Sequence, residues 1–280
     1  MKHSEHRFNG EKGIEIFWRK WVPDQPRAVI VIVHGLGEHS GRYAHVAQSL
    51  NQTGCAVYAI DHRGHGKSGG PRAFVDRFSN AVADIDALVD IAARENAGKP
   101  VLMLGHSMGG ALSLSHALKH GDKLHALILS GPAVALDGAS LFARLLSKML
   151  SVIAPKAGTF AVDPSLVSRD PETVADYASD PLNAHGKVPA RTVAEIVNFV
   201  EWIPSALCLL ELPMLIQHGA QDQLAGVSGS QMVMDAVSAK DKTLKVYDGL
   251  YHEIYNEIPK DRARVLADLN AWIAARLGTA

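Results

Sequence analysis

Ser107 stands in Gly105-His106-Ser107-Met108-Gly109, directly after the apolar run Val101–Leu104 and directly before a helix-forming stretch over 108–119. A strand that must reverse into a helix within one or two residues forces the serine between the two glycines into a strained backbone conformation, and this lifts its hydroxyl clear of the sheet. Such a hydroxyl attacks carbonyl carbons only when a base takes its proton, and the base needs an orienting carboxylate. The chain has 14 histidines, and position relative to strand ends selects among them, because active groups in open α/β sheets collect beyond the carboxyl ends of the strands. Asp222 follows the apolar run Met214–Gln217 and His252 follows Thr243–Tyr247, so nucleophile, acid and base occur in the order Ser107, Asp222, His252. His218 also ends a strand but precedes the acid. Asp248, four residues before His252, reads as a turn residue and is the acid to test should Asp222 not serve.

Acyl transfer also needs donors for the developing oxyanion. The run Ala28–Val33 ends in His34-Gly35-Leu36-Gly37-Glu38-His39, a glycine-rich loop that can present the Leu36 N–H, with the Met108 N–H behind the nucleophile as second donor. Other motifs fail on context. Gly64-His65-Gly66-Lys67-Ser68-Gly69 has dinucleotide-loop spacing, but it is followed by Gly70-Pro71 instead of a helix and follows the second buried strand instead of the first. A phosphate-binding loop ending in Gly66-Lys67-Ser68 would need glycine where Asp61 stands. His34, His39, His62 and His65 have no zinc-ligand spacing. No metal or organic cofactor is implied.

These residues require a scaffold, and the chain supplies one in repeating units. Ala28–Val33, Ala56–Ile60, Val101–Leu104, Ala126–Leu129, Met214–Gln217 and Thr243–Tyr247 are continuous apolar runs separated by helical patterns, as in a mostly parallel sheet flanked by helices on both faces. Gly13–Val22 alternates and suggests an antiparallel edge. A last helix, about Asp261–Leu277, gathers Val265, Leu266, Leu269, Trp272 and Ile273 on one face. Between Gly131 and Pro213 lie more than eighty residues, where a crossover needs only about a dozen. The excess reads as an inserted helical cap at 136–210, dividing an α/β core into 1–135 and 211–280. Within it, Leu141, Phe142, Leu145, Leu146, Met149, Leu150 and Ile153 form an apolar stripe opposite Arg144, Ser147, Lys148 and Ser151. The stripe is expected to pack onto the core, with a lipid-touching role as the second reading. Thr192–Ile203 supplies a further helix.

Composition narrows the partners. A chain of 280 residues with 47% apolar and 20% charged residues is an ordinary globular protein, and its net charge of −1 offers no field for nucleic acid or an anionic bilayer. Any contact with membranes or lipid aggregates must then be apolar. Two cysteines, a polar Met1–Gly10 and the absence of a long apolar run make a cytoplasmic, at most peripheral, protein the expectation.

Five blocks together resemble the monoacylglycerol lipase family of α/β-hydrolases, particularly its bacterial members. They are His34–Tyr43, Asp61–Ser68, Gly105–Gly110, Tyr177-Ala178-Ser179-Asp180-Pro181-Leu182 and Tyr251-His252-Glu253. The resemblance implies hydrolysis of monoacylglycerols to glycerol and fatty acid under a mobile cap, with Ser107, Asp222 and His252 as triad and Leu36 and Met108 as oxyanion hole. It also implies a polar recess for the glycerol head, lined or supported by Glu38, Arg42, His106 and Tyr177, while Asp61 and Arg63 tie down a loop. A broader carboxylesterase or lysophospholipase is the alternative within the chemistry. A ligand-binding protein without activity is the alternative outside it, opposed by the presence of all three triad members.

Overall fold

Strands that are apolar at every position must be covered on both faces, and the computed structural model, which describes residues 2–135 and 140–277, meets that demand. The strands are β1 (Lys2–Asn9), β2 (Glu15–Val22), β3 (Ala28–Val33), β4 (Cys55–Ile60), β5 (Val101–His106), β6 (Ala126–Ser130), β7 (Met214–Gly219) and β8 (Lys242–Tyr247). They form one sheet in the order β1-β2-β4-β3-β5-β6-β7-β8. From β4 to β8 all neighbours are parallel, while β1 and β2 are antiparallel additions at one edge. The antiparallel edge is therefore β1, and Gly13–Val22 lies one strand inside it. One face is covered by α1 (Ala44–Gln52) and α8 (Pro259–Leu277), where Val46, Leu50, Val265, Leu269 and Ile273 meet Ile30, Ile32 and Leu104. The other carries α2 (Phe78–Glu95), α3 (Met108–His120) and α7 (Val227–Ala236), packed on Val29, Val31, Val33 and Met103.

Register brings the site together. Val33, Gly105, Leu129, Ile216 and Leu244 pair in one row across five strands, so the loops that follow β3, β5, β7 and β8 open at the same edge.

Between β6 and β7 the chain forms α4 (Leu141–Ile153), α5 (Pro171–Ser179) and α6 (Ala190–Trp202). The proposed boundary at 135/136 adjoins residues 136–139, which lie outside the described residues, as does the side chain of Leu141. The expectation for the α4 stripe is overturned. Phe142, Leu145, Met149, Val152 and Ile153 are 52–79% exposed, and the helix instead turns Ser147 and Ser151 inward, where it packs on α6. Each serine donates its hydroxyl to a carbonyl of its own helix, Arg144 O at 2.8 Å and Lys148 O at 2.7 Å, so burial leaves no polar atom unpaired and the small side chains permit close approach. The apolar band is wider than that contact. Leu146 and Leu150 line the interior cavity, and the rest of the band faces out.

Candidate active site

Ser107 adopts φ 53° and ψ −122°, a left-handed conformation that a side-chain-bearing residue enters only under constraint. The constraint is visible: its amide donates to Ser130 O at 3.0 Å, and its carbonyl accepts from Gly110 N at 2.9 Å in the first turn of α3. The turn is tight enough that a Cβ on Gly109 would lie 2.0 Å from Val33 O, so only glycine lets the helix rest on β3.

Asp222 and His252 arrive on the loops after β7 and β8. His252 Nδ1 donates to Asp222 Oδ2 at 2.6 Å, which leaves Nε2 as the free ring nitrogen, and Ser107, Asp222 and His252 line one cavity. Asp222 is held from every side: Oδ1 accepts from Leu224 N at 2.8 Å and Ala225 N at 2.9 Å, and Oδ2 also accepts from His218 Nε2 at 3.0 Å. Burial by itself would raise the Asp222 carboxyl, but the charge and hydrogen bond of His252, the His218 bond and the Ala225 amide outweigh it and hold it far below the usual carboxylate range. Burial pulls His252 down, yet the Asp222 carboxylate, assisted by Glu253 and Glu38, lifts it above an ordinary histidine. Asp248 is exposed in the turn after β8 and has no part in this arrangement.

His218 is a residue that sequence reasoning set aside. Because Nε2 meets two acceptors, Asp222 Oδ2 and Ala225 O (2.8 Å), it carries the proton, and Nδ1 accepts from Ser230 Oγ at 2.6 Å. The ring thus holds the same Asp222 oxygen, Oδ2, that His252 binds. Its signal was the i, i+4 spacing to Asp222 at a strand end.

The loop after β3 folds over Ser107: a Cβ on Gly35 would come within 3.1 Å of Ser107 Cβ. His34 Nε2 accepts from His62 N at 3.1 Å, so its proton is on Nδ1 and is donated to Gly35 O at 2.7 Å. In a trans peptide the next N–H points opposite to the carbonyl; with Gly35 O held by the ring, the Leu36 N–H is directed away from it. Leu36 and Met108 both line the cavity beside Ser107.

The remaining sequence candidates gather near His252. Glu38, His106 and Tyr177 line the cavity, whose volume is about 1020 Å³. His106 is buried with its ring 4.6 Å from that of His252, and burial, then the proximity of His252, pushes it down to about 3. Arg42 donates to Glu38 Oε2 at 3.0 Å and stacks over Tyr177 with its guanidinium carbon 4.8 Å from the ring centre. Glu253, quoted in the sequence only as part of a block, takes a bidentate pair of bonds from Arg42 at 2.6 and 2.7 Å. Asp61 and Arg63 do hold loops: Asp61 accepts from Ser40 N and Lys67 N, each at 2.8 Å, and Arg63 pairs with Asp84 and Asp76.

A mostly parallel sheet with Ser, Asp and His carried on the loops after β5, β7 and β8, beneath helices inserted after β6, defines an α/β-hydrolase. The family model described as serine aminopeptidase, S33 matches residues 24–259. The chain is 43% identical over 276 residues to the monoacylglycerol lipase of Mycolicibacterium smegmatis, covering 98% of each. It is 35% identical over 278 residues to the monoglyceride lipase of Rattus norvegicus, covering 98% of this chain and 91% of that one. The crystal structure of Paleococcus ferrophilus monoacylglycerol lipase matches with a TM-score of 0.83 and 29% identity, covering 99% of this chain and 100% of the other. The chain belongs to the monoacylglycerol lipase family. Among the described residues, no helix is long and apolar enough to cross a membrane.

Proposed function

We propose that the protein hydrolyses monoacylglycerols to glycerol and free fatty acid, with Ser107, His252 and Asp222 as catalytic residues. The observation that carries the reading is the 2.6 Å Asp222–His252 bond beside a strained Ser107, in a cavity whose lining joins apolar cap residues such as Leu146, Leu150 and Val193 to polar Glu38, His106 and Glu253. An acyl chain fits the first set and a glycerol head the second. Ser107 Oγ gives its proton to His252 Nε2 as it attacks the ester carbonyl. The oxyanion is held by the N–H groups of Leu36 and Met108, and collapse expels the glycerol oxygen with the proton from His252. Water then attacks the acyl-enzyme by the same route and releases the acid. Asp222 stays ionised and keeps the ring in the Nδ1–H form throughout. Residues 136–210 act as the cap, and the exposed apolar face of α4 makes transient contact with membranes or lipid aggregates.

Relatives carrying the monoacylglycerol and monoglyceride lipase names support the substrate class. The test joins labelling to selectivity. A fluorophosphonate is expected to modify Ser107, and kcat/KM to fall steeply from mono- to di- to triacylglycerol, because a second acyl chain leaves polar recess atoms unpaired at about 1–3 kcal/mol each. Labelling at another residue would remove the nucleophile assignment. Equal rates on the three substrates would leave a broad esterase.

A further inference from the structure

Two carboxylates share one guanidinium beside His252. Arg42 Nη1 donates to Glu38 Oε2 at 3.0 Å and to Glu253 Oε1 at 2.6 Å, and Nη2 to Glu253 Oε2 at 2.7 Å. Among the described residues, the other hydrogen-bond partners of the two acids are also donors: Gly35 N (2.6 Å) and Tyr43 OH (2.8 Å) to Glu38 Oε1, and Asn256 Nδ2 (2.9 Å) to Glu253 Oε2. Such donor-only surroundings favour the ionised form of both acids, and with both ionised the trio carries one negative charge in excess. Both acids are at most 5% exposed, where water screens little. The placement is asymmetric. Glu38 and Glu253 reach the wall of the catalytic cavity, whereas Arg42 lines a separate polar cleft with His39, His45 and Arg262. The cavity therefore meets the acid side of the trio. The arginine that does line the cavity, Arg144, belongs to α4 in the cap, a different element from those that carry Glu38, Glu253 and His252.

Resting on the monoacylglycerol reading, we propose that Glu253 and Glu38 together set head-group specificity, admitting uncharged polyol leaving groups and rejecting phosphate-bearing lysolipids. The leaving oxygen must face His252 to receive its proton, which places the head group next to Glu253. Glycerol hydroxyls can donate to carboxylate oxygens. Phosphate oxygens only accept, and bring charge of the same sign into a buried site.

The full chain would be assayed on three oleoyl esters in excess neutral detergent: 1-oleoylglycerol, 1-oleoylglycerol 3-phosphate and oleoylcholine. In the wild type kcat/KM is expected to be at least a hundredfold lower for the phosphate than for 1-oleoylglycerol, and the cationic choline ester to exceed the phosphate by at least tenfold. Glu253→Gln and Glu38→Gln should each narrow the glycerol-to-phosphate gap tenfold or more. A wild type that turns over the phosphate within threefold of 1-oleoylglycerol, as capture by Arg144 would allow, overturns the proposal. So does an unchanged gap in both variants with their melting temperatures near wild type. Should a glutamine variant melt early, the wild-type order decides, and a phosphate ester preferred over choline refutes the charge filter. Failure to hydrolyse 1-oleoylglycerol with Ser107 still labelled would sink the substrate reading instead, while the choline-to-phosphate order would still decide the charge of the recess.

Discussion

Replacing Leu145 and Met149 by serine tests what the outward face of α4 does. The two side chains are 57% and 52% exposed, so about half of each remains to be buried on contact with lipid. Full burial of a side chain of this size is worth about 1.5–3 kcal/mol. Half of that for each residue gives roughly 2 kcal/mol for the pair, a drop of about thirtyfold in partition onto vesicles. Neither substitution opens a core cavity, because the groups removed already face water, so melting temperature and hydrolysis of a water-soluble short-chain ester should hold. The assay is sedimentation with phosphatidylcholine vesicles at low and high salt. With a net charge of −1, attachment should be insensitive to salt and to added anionic lipid. Unchanged sedimentation of the double variant would refute the interfacial role. Loss of short-chain esterase activity together with stability would show that the face is packed in solution.

The acid should act mainly through the tautomer it enforces. Asp222→Asn is expected to lower kcat by roughly 10⁴-fold with KM little changed, measured on a short-chain ester, and His218→Ala, which removes one of several donors to Asp222, to lower it far less. Equal losses in the two variants would contradict the assignment. Stability should fall in acid. His62 and His106 are pushed down to about 3 and His65 to about 4, chiefly by burial, so below the unfolded value near 6.5 the unfolded chain takes up protons that the folded one refuses. Each contributes roughly 2 kcal/mol of destabilisation at pH 5, offset in part by His252, whose raised value works the other way; calorimetry at pH 7 and pH 5 measures the difference. Gly109→Ala should abolish folding or cost at least about 4 kcal/mol, although alanine elsewhere in a helix gains about 1 kcal/mol over glycine. Chemical denaturation that finds the variant as stable as the wild type would contradict the close packing of α3 on β3.

The buried strands, the elbow and the strand-end positions of Ser107, Asp222 and His252 were legible because they depend on local rules. Continuous Val and Ile runs read as strands wherever both faces are covered, and glycines flanking a serine between strand and helix read as a tight reversal. The runs Ala28–Val33, Ala126–Leu129 and Thr243–Tyr247 lie within a residue of the observed strands. β1 was not legible: Lys2–Asn9 has almost no apolar residue, and it is held by its backbone ladder to β2 and by the His6 ring stacked 4.4 Å from that of Trp18. Nor was the direction in which α4 turns its stripe. Periodicity defines a face but not its neighbour, and a helix over a cavity can satisfy its inner side with two self-bonded serines. His218 and Glu253 depended on tertiary structure most of all. Each is bound to a residue whose place is set by strand pairing, Asp222 by β7 and Arg42 by the loop after β3. Their roles exist only once the sheet brings those loops to one edge.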